Sequence, residues 1–180
     1  MPRYLAAIAL SACLLVSACS RELDRVQVAE FIDRADDAAR KRYAPDICAL
    51  RGKDFESHLV FHAHDADEPT ELDMTRKLFC REAGSFSHLR QYQLERKSMS
   101  IQLARDRKTA IVTAEYLETL PFYEPDRRAV TPDDFMEFQV VETLDESVVG
   151  IEDGELVFLS TRSEAHQTLV PKTSLDIPYD

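Results

Sequence analysis

The feature that most constrains the fold is a change in the spacing of apolar residues along the chain. Between Val28 and Ala39 they recur every three or four positions, which indicates one face of a helix that begins near Leu23. From Tyr92 onward they recur at every second position, which is typical of strands with one buried face. This order predicts an α+β domain in which N-terminal helices pack on a curved antiparallel sheet.

Two helices are predicted in the N-terminal half of the chain. The first contains the apolar stripe and ends before Pro45, because proline cannot continue a helix. The second begins after Pro69, with Thr70 as its N-cap, and carries four apolar residues on one side: Leu72, Phe79, Ala83 and Phe86. A short hairpin is expected between the two helices, across residues 55–64.

Alternating apolar residues predict four strand segments, at Met99–Leu103, Ala110–Tyr116, Phe135–Thr143 and Val148–Ser160. Asp153 and Gly154 predict a two-residue hairpin turn, because both central positions of that turn need a positive φ. Residues 104–108 are a polar turn, and the proline-rich segment 121–134 is expected to be a loop. The domain is therefore predicted to span 23–165 and to be followed by an extended tail, 166–180.

The N-terminus has the anatomy of an export signal. Arg3 is followed by an uncharged, mostly apolar run from Tyr4 to Val16. As a helix this run would cover about 20 Å, which is less than the roughly 30 Å hydrocarbon core of a bilayer. The next residues, Val16-Ser17-Ala18-Cys19, resemble the lipobox of bacterial lipoproteins, in which a peptidase cuts before the cysteine and the cysteine is lipidated.

The resemblance implies a signal peptide over residues 1–18 and a lipidated N-terminus over 19–22, with Cys19 as the modified residue. In that family, Ser20 in place of aspartate implies a destination in the outer membrane, on its periplasmic face. The alternatives are a secretory signal cut elsewhere and a buried N-terminal helix. Several acyl chains on one cysteine would give a stable membrane anchor.

Two cysteines are left once Cys13 is removed and Cys19 is lipidated. In an oxidising envelope, Cys48 and Cys80 are expected to form a disulfide that closes a loop of about 30 residues. The alternative is a pair of buried thiols that pack as small apolar side chains.

The order of elements from Leu23 to Ser160 resembles the nuclear transport factor 2-like (NTF2-like) family. Its members are cones formed by helices under a curved sheet, and they include small-ligand isomerases, cyclases and non-catalytic binding modules. The resemblance rests on element order, so it implies a fold but no catalytic residue of this chain.

The charge and the motifs exclude several functions. A formal charge of -11 would repel a phosphate backbone, so no nucleic-acid partner is expected. The chain has only four glycines and contains neither a phosphate loop nor a dinucleotide fingerprint, so no cofactor is predicted. Tyr92, Tyr116, Glu115 and Asp54 are residue types suited to acid–base chemistry. None matches a family motif, and no catalytic residue is assigned.

Three histidines form the most conspicuous candidate metal site. On a strand, His58, His62 and His64 would share one face, and imidazoles beside carboxylates bind zinc or copper. On a flat strand, however, these three side chains cannot all reach one ion. We therefore predict a solvated face and no metal site, and we expect His88 and His166 to be isolated surface residues.

The proline-rich loop carries a candidate protein-binding surface. It combines aromatic and arginine residues that are frequent at interfaces: Phe122, Tyr123, Arg127 and Arg128. The alternative is that the two aromatic residues fold back onto the sheet. With the acidic charge, this pattern predicts a non-catalytic binding module for a small ligand or a basic periplasmic protein, for example as an inhibitor or immunity protein against an envelope-degrading enzyme. The second hypothesis is a small-molecule isomerase or lyase.

Overall fold

The computed structural model describes residues 22–85, 92–121 and 137–171. Its helices are α1 (Arg25–Lys41), α2 (Ala44–Ala49) and α3 (Arg76–Ser85). No helix in these three stretches is long and apolar enough to cross a membrane. Its strands are β1 (Arg51–His62), β2 (Thr70–Thr75), β3 (Gln93–Leu103), β4 (Thr109–Pro121), β5 (Glu137–Glu152) and β6 (Glu155–Pro171).

The six strands form one curved sheet in the order β2-β1-β6-β5-β4-β3. All neighbours are antiparallel except β1 and β6, which run parallel. The α+β prediction is therefore confirmed, but the sheet is mixed rather than purely antiparallel. Register shifts interrupt three of the strand pairs, and such bulges bend a sheet.

Helix α1 is fixed at both ends by its own sequence. Asp24 caps the N-terminus, because its carboxylate accepts a hydrogen bond from the backbone N–H of Gln27 at 2.8 Å. At the C-terminus Arg42 has a left-handed φ of 54° and its N–H donates to the carbonyl of Ala39. The buried face carries the predicted stripe, including Val28, Phe31 and Ile32.

A disulfide joins α2 to α3 on the helical side of the sheet. Cys48 and Cys80 are bonded, with their Cα atoms 5.5 Å apart, and this confirms the predicted bridge. Closing a loop of this length stabilises a fold by about 3–4 kcal/mol. Arg76 reinforces the same junction, since its guanidinium donates to the carbonyls of Cys48 and Arg51.

The prediction of a helix starting at Thr70 is wrong. Residues Thr70–Thr75 form β2, which pairs with β1 so that Asp73 lies opposite His58, and the helix begins only at Arg76. The edge of β1 offers unpaired backbone groups, and pairing with them outweighs the weak helical preference of this short segment. The hairpin predicted across residues 55–64 is also wrong, because residues 55–62 belong to the single strand β1 and the chain turns back only after them, to form β2.

In the C-terminal half, β3, β4 and the turn between them confirm the prediction. The turn at Asp153 and Gly154 is confirmed as well, with φ values of 52° and 85°. Two boundaries are wrong: β5 runs without interruption through residues 144–147, and β6 continues through 166–171, where an extended tail was predicted. Residues 172–180 lie outside the described part.

The core fills one end of the cone. It contains residues from α1 and from four strands: Leu23, Val28, Phe31, Ile32, Phe55, Ala110, Val112, Val149 and Phe158. Toward the other end, the inward-facing positions of the same strands become polar. Ser57, Asp145 and Ser163 face inward there, on β1, β5 and β6. This change from apolar to polar lining positions the candidate site.

Candidate active site

The described residues enclose two adjoining cavities in the interior of the cone. The inner one has a volume of about 190 Å³ and lies between α1 and the polar part of the sheet. The outer one, of about 470 Å³, lies beside α3. Both are lined by Arg51, Tyr92 and Glu118, so these residues stand where the two cavities meet. The outer volume is in the range of pockets that hold small organic ligands.

Arg51 is a partly buried cation whose guanidinium is surrounded by aromatic rings. Its guanidinium carbon lies 4.3 Å from the ring centroid of Phe158, 4.8 Å from that of Phe79 and 5.3 Å from that of Phe55. Burial lowers the pKa of Arg51 to about 10, so the group is still cationic at neutral pH. The buried Nε and Nη1 atoms have no hydrogen-bond partner within the described residues.

Asp145, on β5, is a carboxyl group that lines the inner cavity together with Arg51. Burial raises its pKa, while a hydrogen bond from Ser163 and the charge of Arg51 oppose that shift. Its buried Oδ1 atom has no hydrogen-bond partner in the described part of the chain. The inner cavity is thus lined both by unpaired donors on Arg51 and by an unpaired acceptor on Asp145.

A second carboxyl group, Glu118 on β4, is paired with a phenol. Tyr92 donates a hydrogen bond of 2.8 Å from its hydroxyl to Oε2 of Glu118. Burial raises the pKa of Glu118, and the bond from Tyr92 opposes that shift. Burial and the charge of Glu118 raise the pKa of Tyr92 well above its usual range, so the phenol keeps its proton.

A third carboxyl group, Asp36 on α1, connects the helix to the sheet. Its Oδ1 atom accepts a bond of 3.1 Å from the hydroxyl of Tyr116, and its Oδ2 atom lies 2.8 Å from Nη1 of Arg96. Burial raises the pKa of Asp36 despite the charge of Arg96. Oδ1 has a hydrogen-bond partner and Oδ2 has an ion-pair partner, so Asp36 links α1 to the sheet.

No protein-family model and no curated protein sequence matches the chain. Among solved structures it is similar to a hexachlorocyclohexane dehydrochlorinase from Novosphingobium barchaimii, with 8% identity, a TM-score of 0.59 and coverage of 87% of this chain and 94% of that one. It is also similar to a putative dehydratase from the NTF2-like family of Streptomyces avermitilis, with 12% identity, a TM-score of 0.53 and coverage of 77% and 93%.

The chain has the NTF2-like fold. A putative scytalone dehydratase from Novosphingobium aromaticivorans shares it, with 13% identity, a TM-score of 0.54 and coverage of 79% of this chain and 82% of that one. These identities show the fold alone. The resemblance inferred from element order is therefore confirmed for the fold.

Within the NTF2-like cone, two of the four acid–base candidates named from the sequence reach the cavity. Tyr92 and Tyr116 line it, whereas Asp54 and Glu115 are exposed. Sequence reasoning missed Arg51, Glu118 and Asp145. The sequence carries a signal for Asp145, because Asp145 occupies the same face of β5 as the buried Ser147 and Val149, at every second position.

The outer face of the sheet separates the three histidines that the sequence grouped together. Nδ1 of His58 lies 2.8 Å from Oδ1 of Asp73, whereas His64 lies past the end of β1 beside Gln167. His62 instead stacks on His166, with ring centroids 4.1 Å apart. The prediction that His166 is isolated is therefore wrong.

The remaining sequence-predicted site residues lie outside the described residues. They are the lipidation candidate and the members of the proposed protein-binding surface: Cys19, Phe122, Tyr123, Arg127 and Arg128. His88 also lies in a segment that is not described.

Proposed function

We propose that the protein is a lyase or isomerase that acts on a small carbonyl compound held in the cone. One observation carries this proposal: Arg51 and Asp145 line the same cavity, and each has buried polar atoms without a partner in the described part of the chain. Unsatisfied buried polar groups are costly, so a native protein keeps them where a ligand completes them.

Arg51 supplies the electrophilic half of the chemistry. Its free N–H donors bind a carbonyl or carboxylate oxygen and stabilise the negative charge that develops on that oxygen during proton removal. The ring faces of Phe79 and Phe158 keep the guanidinium in place and exclude water, which strengthens the interaction. Its pKa of about 10 preserves the positive charge at neutral pH.

Asp145 supplies the base. In its ionised form, Oδ1 takes a proton from the carbon next to the carbonyl group, and the electron pair of that C–H bond moves onto the carbonyl oxygen at Arg51. An isomerase returns the proton at another carbon, whereas a lyase expels a leaving group from the neighbouring carbon. Burial raises the pKa of Asp145, which makes its carboxylate a stronger base than an exposed aspartate.

Tyr92 and Glu118 lie where the two cavities meet and supply a hydrogen-bond donor for the leaving group. Because the phenol keeps its proton, Tyr92 can donate a hydrogen bond to a leaving group while Glu118 holds the phenol in place. The outer cavity is mostly apolar and includes Ile47, Leu59 and Met74. A substrate with a polar head and an apolar body fits this division.

The structural comparison supports this choice of reaction. Two of the similar structures are putative dehydratases and a third is a dehydrochlorinase. These names describe elimination reactions, in which a proton and a leaving group depart from adjacent atoms.

The test follows proton removal directly. The full chain in detergent is incubated in D₂O with cyclic and aromatic ketones and keto acids of about six to ten carbons. NMR then measures exchange of the proton next to the carbonyl group. We expect exchange above the buffer rate for at least one compound, and a loss of about a hundredfold in Asp145→Asn.

Glu146→Gln is the matched control, since Glu146 is exposed and follows Asp145 directly on β5. It should exchange at the wild-type rate. The proposal is contradicted if no compound exchanges faster than in buffer, or if Asp145→Asn, with an unchanged circular dichroism spectrum, exchanges as fast as the wild type.

We also propose that the protein is anchored to the outer membrane through Cys19 and faces the periplasm, which the lipobox-like sequence supports. Labelling cells with a fatty-acid analogue should tag the wild type. Cys19→Ala should lose both the tag and its place in the membrane fraction. Equal tagging of that variant would refute the anchor.

Binding of a basic envelope protein through the proline-rich loop is the second candidate function, and the mixture of aromatic and arginine residues there supports it. Replacing Phe122, Tyr123 and Arg127 together with alanine should weaken capture of such a partner without lowering the melting temperature. Undiminished capture together with a large drop in melting temperature would place the aromatic residues in the core instead.

A further inference from the structure

The outer face of the sheet brings together two imidazoles and a carboxylate. The parallel register of β1 and β6 places His62 beside His166, and Glu164 lies two residues before His166 on the same face. Oε1 of Glu164 is 3.1 Å from Nε2 of His62 and 3.5 Å from Nε2 of His166. One potential ligand atom from each residue lies within 4.8 Å of the other two.

These distances match the spacing of ligands around a metal ion. Ligand atoms about 2.1 Å from a tetrahedral zinc ion lie about 3.4 Å from one another. The two nitrogen-to-oxygen distances are already close to that value, so small rotations of the side chains would let all three coordinate one ion. The imidazole rings stack with an interplanar angle of only 9°, and the Nε2 atom of each ring lies within 3.5 Å of the same carboxylate oxygen.

We propose that His62, Glu164 and His166 form a binding site for a divalent transition-metal ion, Zn²⁺ or Cu²⁺. Two imidazole nitrogens select these ions over Ca²⁺ and Mg²⁺, which prefer oxygen ligands. The three side chains are each between one-third and three-fifths exposed, so the ion exchanges with solvent and keeps open positions for water. Glu142, which lies opposite His166 on β5 and is exposed, is placed to supply a fourth ligand.

The ion would link β1 to β6, the one parallel strand pair among the described strands. Its ligands come from β1 and β6, and the sheet separates them from the cavity on the inner face. A ligand that binds only the folded state stabilises it by mass action, so the metal should raise the melting temperature. The site therefore acts on the fold and does not touch a substrate in the cone.

The test is a metal titration of the tag-free full chain, because a histidine tag would itself bind these ions. Calorimetry with ZnCl₂ should give one ion per chain and a higher melting temperature, whereas MgCl₂ and CaCl₂ should give neither. Electron paramagnetic resonance of the Cu²⁺ form should show coupling to two imidazole nitrogens.

Two ligand variants and one matched control decide the assignment. His62→Gln and His166→Gln should each weaken Zn²⁺ binding about tenfold or more and remove one nitrogen from the Cu²⁺ spectrum. His58→Gln is the control, because His58 lies on the same face of β1 and is paired with Asp73. The proposal is overturned if Zn²⁺ does not bind, if Ca²⁺ binds equally well, or if both ligand variants bind like the control.

Discussion

The two faces of the sheet differ in the burial and the pairing of their polar side chains. On the inner face, β1, β5 and β6 present Arg51, Asp145 and Ser163 to a cavity. Two guanidinium nitrogens of Arg51 and one carboxylate oxygen of Asp145 are buried there without a hydrogen-bond partner among the described residues. On the outer face, β1 and β6 present His62 and Glu164 to solvent, where each has a close partner. Alternation along a strand, with its period of two, puts these chemistries on opposite sides of one sheet.

The difference shows what burial adds to an ordinary residue type. Inside the cone, desolvation raises the pKa of Asp36, Glu118 and Asp145 and lowers that of Arg51. Perturbed groups of this kind are suited to proton transfer. On the outer face, the carboxylate of Glu164 lies beside two imidazoles and is exposed to water, which suits it to binding an exchangeable ion.

The largest effect should come from truncating the inner face. Phe158 is 6% exposed and packs against Phe31 and the guanidinium of Arg51. Phe158→Ala removes these contacts and leaves a cavity, which should lower the free energy of unfolding by about 3–5 kcal/mol. Urea denaturation measures the loss. A loss below about 1 kcal/mol would mean that this end of the cone is not packed as described.

Reduction of the disulfide should have the next largest effect. Breaking Cys48–Cys80 removes the closed loop and so raises the conformational entropy of the unfolded chain. The free energy of unfolding, measured by urea denaturation, should fall by about 3–4 kcal/mol. The bridge lies on the helical side, so the outer face should keep its Zn²⁺ affinity in the double variant Cys48→Ser/Cys80→Ser. A change in that affinity would show that the two faces are coupled.

The pH dependence of stability should distinguish the inner carboxyl groups from the outer ones. Burial raises the pKa of Glu118 above its ordinary 4.5 and that of Asp145 above 3.8, so between the ordinary and the raised pKa each group binds more protons in the folded state than in the unfolded state. The contribution of these two groups to stability is therefore largest below the ordinary values and is lost as the pH rises through the raised pKa values.

Glu118→Gln and Asp145→Asn should each flatten this fall, because the replacement side chain does not ionise. Glu146→Gln, on the outer face, should leave the profile unchanged. Melting temperatures measured between pH 4 and pH 8 provide the comparison. A profile that is equally steep in all three variants would assign the pH dependence to other groups.

The smallest effect is expected on the outer face. Leu144 is 47% exposed although it lies next to Asp145 on β5. Leu144→Ala should therefore change the free energy of unfolding by about 0.5 kcal/mol or less in the same urea assay. A loss as large as that of Phe158→Ala would mean that another surface covers the outer face.

Much of the fold could be predicted from the spacing of apolar residues. The stripe of α1 and the alternation of β3 and β4 depend on local burial, which the sequence displays directly. The strand β2 could not be predicted in this way, because Thr70–Thr75 is an edge segment with little buried surface.

The site was harder to predict because its polar residues interrupt the apolar pattern. Asp145 lies in the middle of β5, where a charged residue suggests a break between strands. Arg51 begins β1 and is covered by Phe79 of α3 and by Phe158 near the start of β6. The pair of His62 and His166 depends on a parallel register that links residues about 100 positions apart. None of these contacts has a local signature.

The central claim, that Arg51 binds the oxygen of a small carbonyl compound, has a direct test. The Nε–H resonance of Arg51 is assigned by NMR through its absence in Arg51→Met, and the ketones and keto acids are titrated into the wild type. The account predicts a saturable shift of this resonance with at least one compound, at the concentration at which that compound raises the melting temperature. An Arg51 resonance unmoved by a compound that binds and stabilises the protein, or by every compound tested, would contradict it.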